Sequence, residues 1–480
     1  MNHPEEDRQR GQEGPGARGE VQASSSEASD RARGEEAQLE RTLGLPGALS
    51  IGVGTMIGAG VFVFPGLAAG RAGPAASVSF ALGGIAALLV ALPASELATA
   101  LPRSGGGYHF IRRGLGPFAG TLAGLAQWVG LIFAAAFYLA GFGAYSREIL
   151  GGVGADPGFS PGLLGLAAAA VLILINVVGT RHAGAFQSVV VGLLLLVLGT
   201  LVGWGVYRLI KPDGLGLPAG SWTPRGVLPV FQTAALVFTS YLGFVQVANV
   251  GEEVKRPERN LPAALIGSVV IVVLVYVLTL VISTSALPWQ RLGELEETAF
   301  VEVARVIAGP AGATSVLVAG LLATLSSANA SVLSSSRTLF ALSRDRVVPG
   351  TVAAVHDRFG TPHIAILGAG VPIGLLAAAG RIDILAEIAS VLHLVIYGLI
   401  CLALVRLRGE APPWYRPGFR IPGHPALPLL GAATAFGLIG FMQWESMAAG
   451  AGIVFLASIW HMFVSAAGGE EARSKEGGGP

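Results

Sequence analysis

The 480-residue sequence has little charge and almost no cysteine. Asp, Glu, Lys and Arg make up 13% of it, about half the share of an ordinary soluble domain, whereas 52% is hydrophobic. The single Cys401 excludes an intramolecular disulfide and a cysteine metal cluster. A net charge of +1 offers no broad basic surface for nucleic acid. Together with a mean hydropathy of +0.64, these shortages exclude a soluble enzyme and indicate an all-α polytopic membrane protein.

The two ends of the chain lack long apolar runs. Residues 1–42 are polar and rich in Glu, Arg, Gly and Ser, and they contain no apolar segment of the kind that a signal peptide requires. This composition predicts a disordered tail, and the same prediction applies to residues 468–480.

Hydropathy predicts twelve membrane spans between these ends, so both termini would lie on one side. Arg and Lys favour the segments that a cytoplasmic N-terminus places inside by about two to one. We therefore expect a multi-pass protein of the plasma (inner) membrane with both termini in the cytoplasm. The predicted spans are about 45–69, 74–101, 118–150, 162–179, 186–210, 228–250, 262–287, 311–340, 362–380, 384–405, 426–444 and 447–466.

Two of these spans contain residues that weaken a helix. The first has four glycines between positions 52 and 60, and the sixth has a polar and glycine-containing stretch at 238–244. Each glycine costs roughly 1 kcal/mol relative to Ala in a helix, and lipid tolerates free backbone groups only where protein or a cavity surrounds them. Five spans separate the interruptions, as in transporters built from inverted repeats. The alternative is close helix packing, because Gly54 and Gly58 also match a small-residue packing motif.

Four pieces of the sequence form recognisable motifs. They are GTMIGAGVF at 54–62, EL at 96–97 with PRSGGGY at 102–108, GEEVKRPERNLP at 251–262, and SSSRTLFALSRD at 334–345. In these motifs, and in their order and spacing across about residues 43–405, the sequence resembles the amino acid–polyamine–organocation permease superfamily.

The resemblance implies a leucine-transporter-like 5+5 inverted repeat in residues 43–405, with helices 1 and 6 broken, plus two accessory helices in residues 406–467. It also implies that an amino acid binds between the two breaks. Backbone N–H groups of the first break would bind its carboxylate, and carbonyl groups of the second would accept from its ammonium. The expected substrate-binding residues are Gly54, Thr55, Met56, Ile57, Gly58, Ala59, Gly60, Phe238, Thr239, Ser240, Tyr241 and Gly243.

Tyr241 would gate or line the side-chain pocket, or would simply be a packed aromatic residue. Position 59 is Ala, where many relatives have a hydroxyl residue, so recognition there would depend mainly on the backbone.

The coupling ion is left open by the sequence. In sodium-coupled transporters of this fold the ion lies between helix 1 carbonyls and helix 8 hydroxyls, which here would be those of Ser326 and Ser327. These serines could equally be hydrogen-bonding contacts between helices. Some proton-coupled relatives carry a Lys in helix 5, at the position of Leu194 here. Sodium symport, proton symport, uniport and exchange all remain open.

Two further groups in the spans can titrate. Glu96, near the cytoplasmic end of the second span, is a candidate coupling residue, because acids within membranes are often functional. Its alternative is a structural ion pair with Arg103. His393 has apolar sequence neighbours, which predicts a neutral, packed residue.

The sequence is thus interpreted as a secondary active amino acid transporter that works by alternating access, without a cofactor or a bound metal. Val245 replaces the acid of the relatives' Gly-Phe-acid motif, which favours neutral substrates. A cationic amino acid or polyamine antiporter would need an acid in the breaks. A membrane enzyme would need converging His, Asp, Glu or Cys residues, and a sensor or channel would need a regulatory domain or a filter.

Overall fold

Long apolar runs fold as helices, because a helix satisfies its backbone hydrogen bonds internally when no water is present. The computed structural model describes residues 41, 43–101, 106–152, 154, 158–178, 183–212, 214–218, 220–249 and 251–476. The predicted tail at 1–42 therefore lies almost wholly outside the described residues, as does Arg103.

Within the described residues every regular element is helical, apart from one isolated parallel bridge between Leu43 and Val254. The helices, in chain order, are α1 (Leu45–Met56), α2 (Ala59–Ala72), α3 (Ala76–Ala100), α4 (Gly106–Leu115), α5 (Pro117–Gly152), α6 (Pro161–Val178), α7 (Ala183–Ile210), α8 (Leu228–Val237), α9 (Gln246–Asn249), α10 (Pro257–Ala286), α11 (Trp289–Leu295), α12 (Ala299–Arg344), α13 (His363–Ala379), α14 (Ile382–Glu410), α15 (Ala426–Ile439) and α16 (Trp444–Glu476). Short 3-10 segments occur at Gly73–Ala75, Phe238–Tyr241, Gly251–Glu253, Glu296–Thr298 and Gly350–Ala353.

Nine helical segments in the described part of the chain are long and apolar enough to cross a membrane. Three further apolar helices, α1, α13 and α15, are shorter. The all-α, membrane-spanning class is therefore confirmed. The helix boundaries differ most at α12, which begins at Ala299 instead of 311 and is interrupted at Gly309 (φ 70°, ψ −163°), and at α16, which continues to Glu476.

Burial divides the helices into central and peripheral groups. Residues Val61, Phe62, Val63 and Phe64 of α2 have no exposed surface. By contrast, only 11% of the apolar window of α16 is buried, and 33% of that of α7. The centre of the bundle is thus formed around the interrupted helices, with α3, α5, α10, α12 and α14 packed about them.

The residues just before α1 and just after α9 are hydrogen-bonded to each other. The Leu43 N–H donates to the Glu253 carbonyl (2.9 Å), and the Lys255 N–H donates to the Leu43 carbonyl (2.8 Å). The segment that leads into α1 is therefore paired with the segment that follows α9.

Candidate substrate site at two interrupted helices

The first interruption separates α1 from α2. Helix α1 ends at Met56 and α2 begins at Ala59, while Ile57 (φ −77°, ψ 83°) and Gly58 (φ −127°, ψ −139°) have non-helical backbones. The first N–H groups of a helix have no partner within it. One of them, that of Ala59, donates to the hydroxyl of Ser327 at 3.3 Å. The Ser327 hydroxyl of α12 thus accepts a hydrogen bond from the first residue of α2, Ala59, whose own side chain has no hydroxyl.

The glycines of this stretch serve two different purposes. A Cβ on Gly54 would lie 2.7 Å from Val191 of α7, so Gly54 allows close helix packing. A Cβ on Gly58 would lie 2.1 Å from Ser327 Oγ, and one on Gly60 would lie 2.4 Å from Ser240 Oγ. The packing interpretation therefore describes Gly54, whereas Gly58 and Gly60 leave room for hydroxyl groups at the interruption.

The second interruption lies between α8 and α9. Helix α8 ends at Val237, the 3-10 segment Phe238–Tyr241 follows, and a turn precedes α9. Ser240 is 4% exposed, and its Oγ has no hydrogen-bond partner among the described residues. A buried hydroxyl without a partner costs about 1–3 kcal/mol, and this one lies beside the start of α2. It is therefore available to bind a further polar group.

The two interruptions touch each other directly. Thr55 Oγ1 lies 2.9 Å from the Gly243 carbonyl, and a Cβ on Gly243 would lie 2.5 Å from the backbone carbon of Thr55. The hydroxyl of Tyr276 lies 2.6 Å from the Met56 carbonyl and 3.3 Å from that of Ser240. The structure thus brings Thr55, Met56, Ser240 and Gly243 into one cluster.

Tyr276 also belongs to this cluster, although the sequence motifs do not indicate it. It lies in the middle of α10, is fully buried and contacts the backbone of both interruptions. Its signal was a single hydroxyl in an otherwise apolar run, VVLVYVL at 272–278, where a buried tyrosine hydroxyl needs a partner.

Helix α14 also makes hydrogen bonds to the second interruption. Thr239 Oγ1 donates to the Ala386 carbonyl (2.6 Å) and contacts the hydroxyl of Ser390. The Tyr397 hydroxyl donates to the Leu242 carbonyl (2.8 Å). The 3-10 segment is therefore hydrogen-bonded to α14 near Ala386, and the following turn is hydrogen-bonded to α14 at Tyr397.

Two other residues that the sequence predicts for the site, Tyr241 and Ser326, make no side-chain hydrogen bond to the interruptions among the described residues. Tyr241 is fully buried, its hydroxyl donates to the Phe80 carbonyl of α3 (2.8 Å), and its ring packs against Tyr276. Ser326 is buried, but among the described residues its hydroxyl makes no hydrogen bond to the interruptions, unlike that of Ser327. Tyr241 thus has the contacts of a packed aromatic residue.

Glu96 lies in a separate cluster, where its carboxylate is fully buried. It accepts from the Arg408 guanidinium (2.6 Å at Nε), the Tyr415 hydroxyl (2.8 Å) and the Ile421 N–H (2.8 Å). Burial, together with the hydrogen bond to Glu96 and its charge, raises the pKa of Tyr415 well above its ordinary value. These contacts make Glu96 an attachment point between α3, α14 and the following loop, with Arg408 as its cation.

A second buried acid was also missed. Glu387 is 1% exposed and accepts from Arg71 at the end of α2 (3.0 Å) and from the side chain of Gln443 (3.0 Å). Arg71 also pairs with Asp383 (3.1 Å). This network joins α2 to α14 and to the start of α16. No group of three or more His, Cys, Asp or Glu residues in the described part of the chain is placed to hold a metal.

The cluster offers N–H donors at the start of α2, together with the hydroxyl of Ser240 and carbonyls of the second interruption, close to one another. No ionised side chain belongs to either interruption. Two interrupted helices that meet inside a lipid-spanning bundle are the architecture of a membrane permease.

The comparison with known proteins agrees with this class. Residues 47–464 match the family model described as amino acid permease, so the chain belongs to the amino acid permease family. The resemblance read from the four sequence pieces is thereby confirmed.

Three relatives from Bacillus subtilis (strain 168) illustrate the range of the family. The methylthioribose transporter is 28% identical over 90% of this chain and 97% of its own length. The branched-chain amino acid permease BcaP is 29% identical over 86% and 90%, respectively. The serine/threonine exchanger SteT is 28% identical over 85% and 92%. The chain is accordingly similar to transporters along nearly its whole length.

Proposed function

We propose that this protein is a secondary active transporter of neutral amino acids that works by alternating access. Residues 43–405 form a ten-helix core of two inverted five-helix halves, in which α1–α2 and α8–α9 are the first helix of each half. Residues 406–467 add two accessory helices, which gives twelve spans in the plasma membrane with both ends in the cytoplasm.

The observation that carries this proposal is the contact between the two interruptions. A zwitterion needs donors for its carboxylate and acceptors for its ammonium within a few ångströms. The start of α2 supplies N–H groups, and the second interruption supplies carbonyl groups and the unpartnered Ser240 hydroxyl. The helix dipole at the start of α2 favours the carboxylate further.

The absence of an ionised side chain in either interruption favours a neutral substrate. A cationic substrate would leave a positive side chain in this low-dielectric region without a counter-charge, which costs several kcal/mol. The printed names of the relatives, a branched-chain amino acid permease and a serine/threonine exchanger, fit neutral amino acids. Methylthioribose is also uncharged and belongs in the set of substrates to be tested.

The experiment is uptake into proteoliposomes with each of the twenty amino acids and methylthioribose, under sodium gradients, proton gradients, and exchange conditions. We expect uptake of one or more neutral amino acids. The variant Gly58→Leu places a side chain against Ser327 and should abolish substrate binding while the protein still inserts.

The matched control is Gly199→Leu. Gly199 lies in a helix, and outside that helix's own backbone no atom lies within 4 Å of a Cβ built on it, so this variant should transport normally. Normal uptake by Gly58→Leu would refute the site, and uptake of cationic amino acids alone would refute the neutral class.

A further inference from the structure

His393 lies on the face of α14 that holds the second interruption. Positions 386, 390, 393 and 397 recur at helical spacing and so share one face. Ala386 and Ser390 contact Thr239, and Tyr397 binds the Leu242 carbonyl. With a rise of 1.5 Å per residue, the His393 backbone lies about 4.5 Å along the axis from Ser390 and about 6 Å from Tyr397. The imidazole is therefore level with the interruption.

The hydrogen bonding of this ring defines its tautomer. Nδ1 lies 2.8 Å from the Ala389 carbonyl, which can only accept, so Nδ1 carries the hydrogen. Nε2 of the neutral ring is then an acceptor, and it makes no hydrogen bond to the described residues. The ring packs over Gly130 of α5, where a Cβ would lie 2.8 Å from His393 Cε1. Glycine at position 130 thus provides the space that the imidazole occupies.

The charged groups on the neighbouring helices lie at the helix ends or are already paired. Helix α5 has none between Phe118 and Ser146, α15 has none, and α8 has none. On α16, Glu445 lies in the first turn, and His461 lies in the middle of the helix, where its Nδ1 is 3.1 Å from Thr121 Oγ1. The structure also shows the surroundings of the remaining groups. These are Glu387 and Asp383 with Arg71, Glu96 with Arg408, Arg406 with Glu410, Arg112 with Asp345 and Tyr108, Arg113 over the ring of Trp414, the Tyr241 hydroxyl on the Phe80 carbonyl, the Tyr397 hydroxyl on the Leu242 carbonyl, and Tyr138 packed against Phe137.

His393 is thus a titratable side chain at the level of the interruptions that has no charged partner in the described structure. Burial in an apolar site disfavours the imidazolium, whereas exposure to water favours it. A movement that opens this region first to one side and then to the other would change its proton affinity. Such a difference in affinity between conformations is what couples two binding events.

We propose that Nε2 of His393 is the proton-binding site of a proton-coupled transport cycle. It takes up a proton when the region is hydrated from the more acidic side and releases it when the region opens to the more alkaline side, so that the pH difference sets the direction of transport. This inference rests on the proposed transport function, which it extends by naming the coupling ion.

The test uses proteoliposomes of the full chain that contain a pH indicator, with a neutral amino acid that the wild type exchanges. One pH unit corresponds to about 1.4 kcal/mol, so one proton per substrate supports about tenfold accumulation. Wild type should accumulate the substrate and acidify the lumen. H393Q, which cannot bind a proton, should keep exchange but show accumulation of about onefold. H461Q is the matched control and should behave as wild type; if H393Q does not fold, the smaller H393N replaces it.

The outcomes separate the two proposals. Failure of the wild type to exchange or take up any tested substrate contradicts the transport function itself. Transport by wild type without acidification overturns the coupling proposal alone, and so does gradient-driven accumulation by H393Q. Loss of exchange by a folded H393Q also overturns it, because the ring would then act in substrate binding.

Discussion

The fit between Gly58 and Ser327 allows a quantitative test of the first interruption. A Cβ on Gly58 would lie 2.1 Å from Ser327 Oγ, far inside ordinary contact distance. Overpacking of this kind costs about 1–3 kcal/mol, so Gly58→Ala should destabilise the protein by that amount. Ser327→Ala removes the acceptor of the Ala59 N–H, which costs about 1 kcal/mol.

The double variant distinguishes this steric explanation from a general need for glycine. Without the hydroxyl, the next atom, Ser327 Cβ, lies 3.4 Å from the new Cβ, which is ordinary contact. Gly58→Ala combined with Ser327→Ala should therefore lose only about 1 kcal/mol, which gives a favourable coupling energy of about 1–3 kcal/mol. If the effects were independent, the double variant would lose about 2–4 kcal/mol.

The measurement is the free energy of unfolding in detergent for wild type, both single variants and the double variant. Gly199→Ala, whose Cβ would contact nothing within 4 Å outside its own helix backbone, controls for the loss of glycine itself. A double variant whose loss equals the sum of the two single losses would refute the packing argument.

Three further predictions concern the polar contacts. Tyr276→Phe keeps the ring but loses the hydroxyl that contacts both interruptions, so substrate binding should weaken several-fold while the unfolding free energy falls by only about 1 kcal/mol; unchanged binding would contradict this. Glu96→Ala leaves Arg408 without its carboxylate and should cost about 3–5 kcal/mol, part of which Arg408→Met should restore in the double variant. Arg71→Gln leaves the buried Glu387 without a cation, so the free energy of unfolding should fall by several kcal/mol, part of which Glu387→Gln should restore in the double variant; no restoration would exclude this role.

The interruptions could be predicted from sequence because their signal is local. Glycines within a few residues of each other weaken the first helix, and a polar stretch does the same in the sixth, regardless of what surrounds them. The structure places Gly58 and Gly60 at the first interruption and Ser240 and Gly243 at the second, in contact with each other. Local chemistry was sufficient here because a break in a buried helix must be satisfied nearby.

The ion pairs could not be predicted in the same way. Arg103 is seven positions from Glu96 and was the expected partner, whereas Arg408, 312 positions away, binds the carboxylate. Arg71 and Glu387 are likewise separated by 316 positions. Such pairs depend on which helix ends meet in three dimensions, and no local pattern in the sequence contains that information.

The strengths of these contacts indicate where the protein can move. Ser327 holds the first interruption to α12 through one neutral hydrogen bond, and Thr239 and Tyr397 hold the second to α14 through a few more, each contributing about 1 kcal/mol. Binding energy of a substrate can offset a cost of that size. The buried pair of Glu96 and Arg408 between α3 and α14 is different, because separating it would leave a buried charge at a cost of several kcal/mol. We therefore expect the two interruptions to shift against α12 and the middle of α14, while the Glu96 end of α3 and the Arg71 end of α2 stay attached to α14.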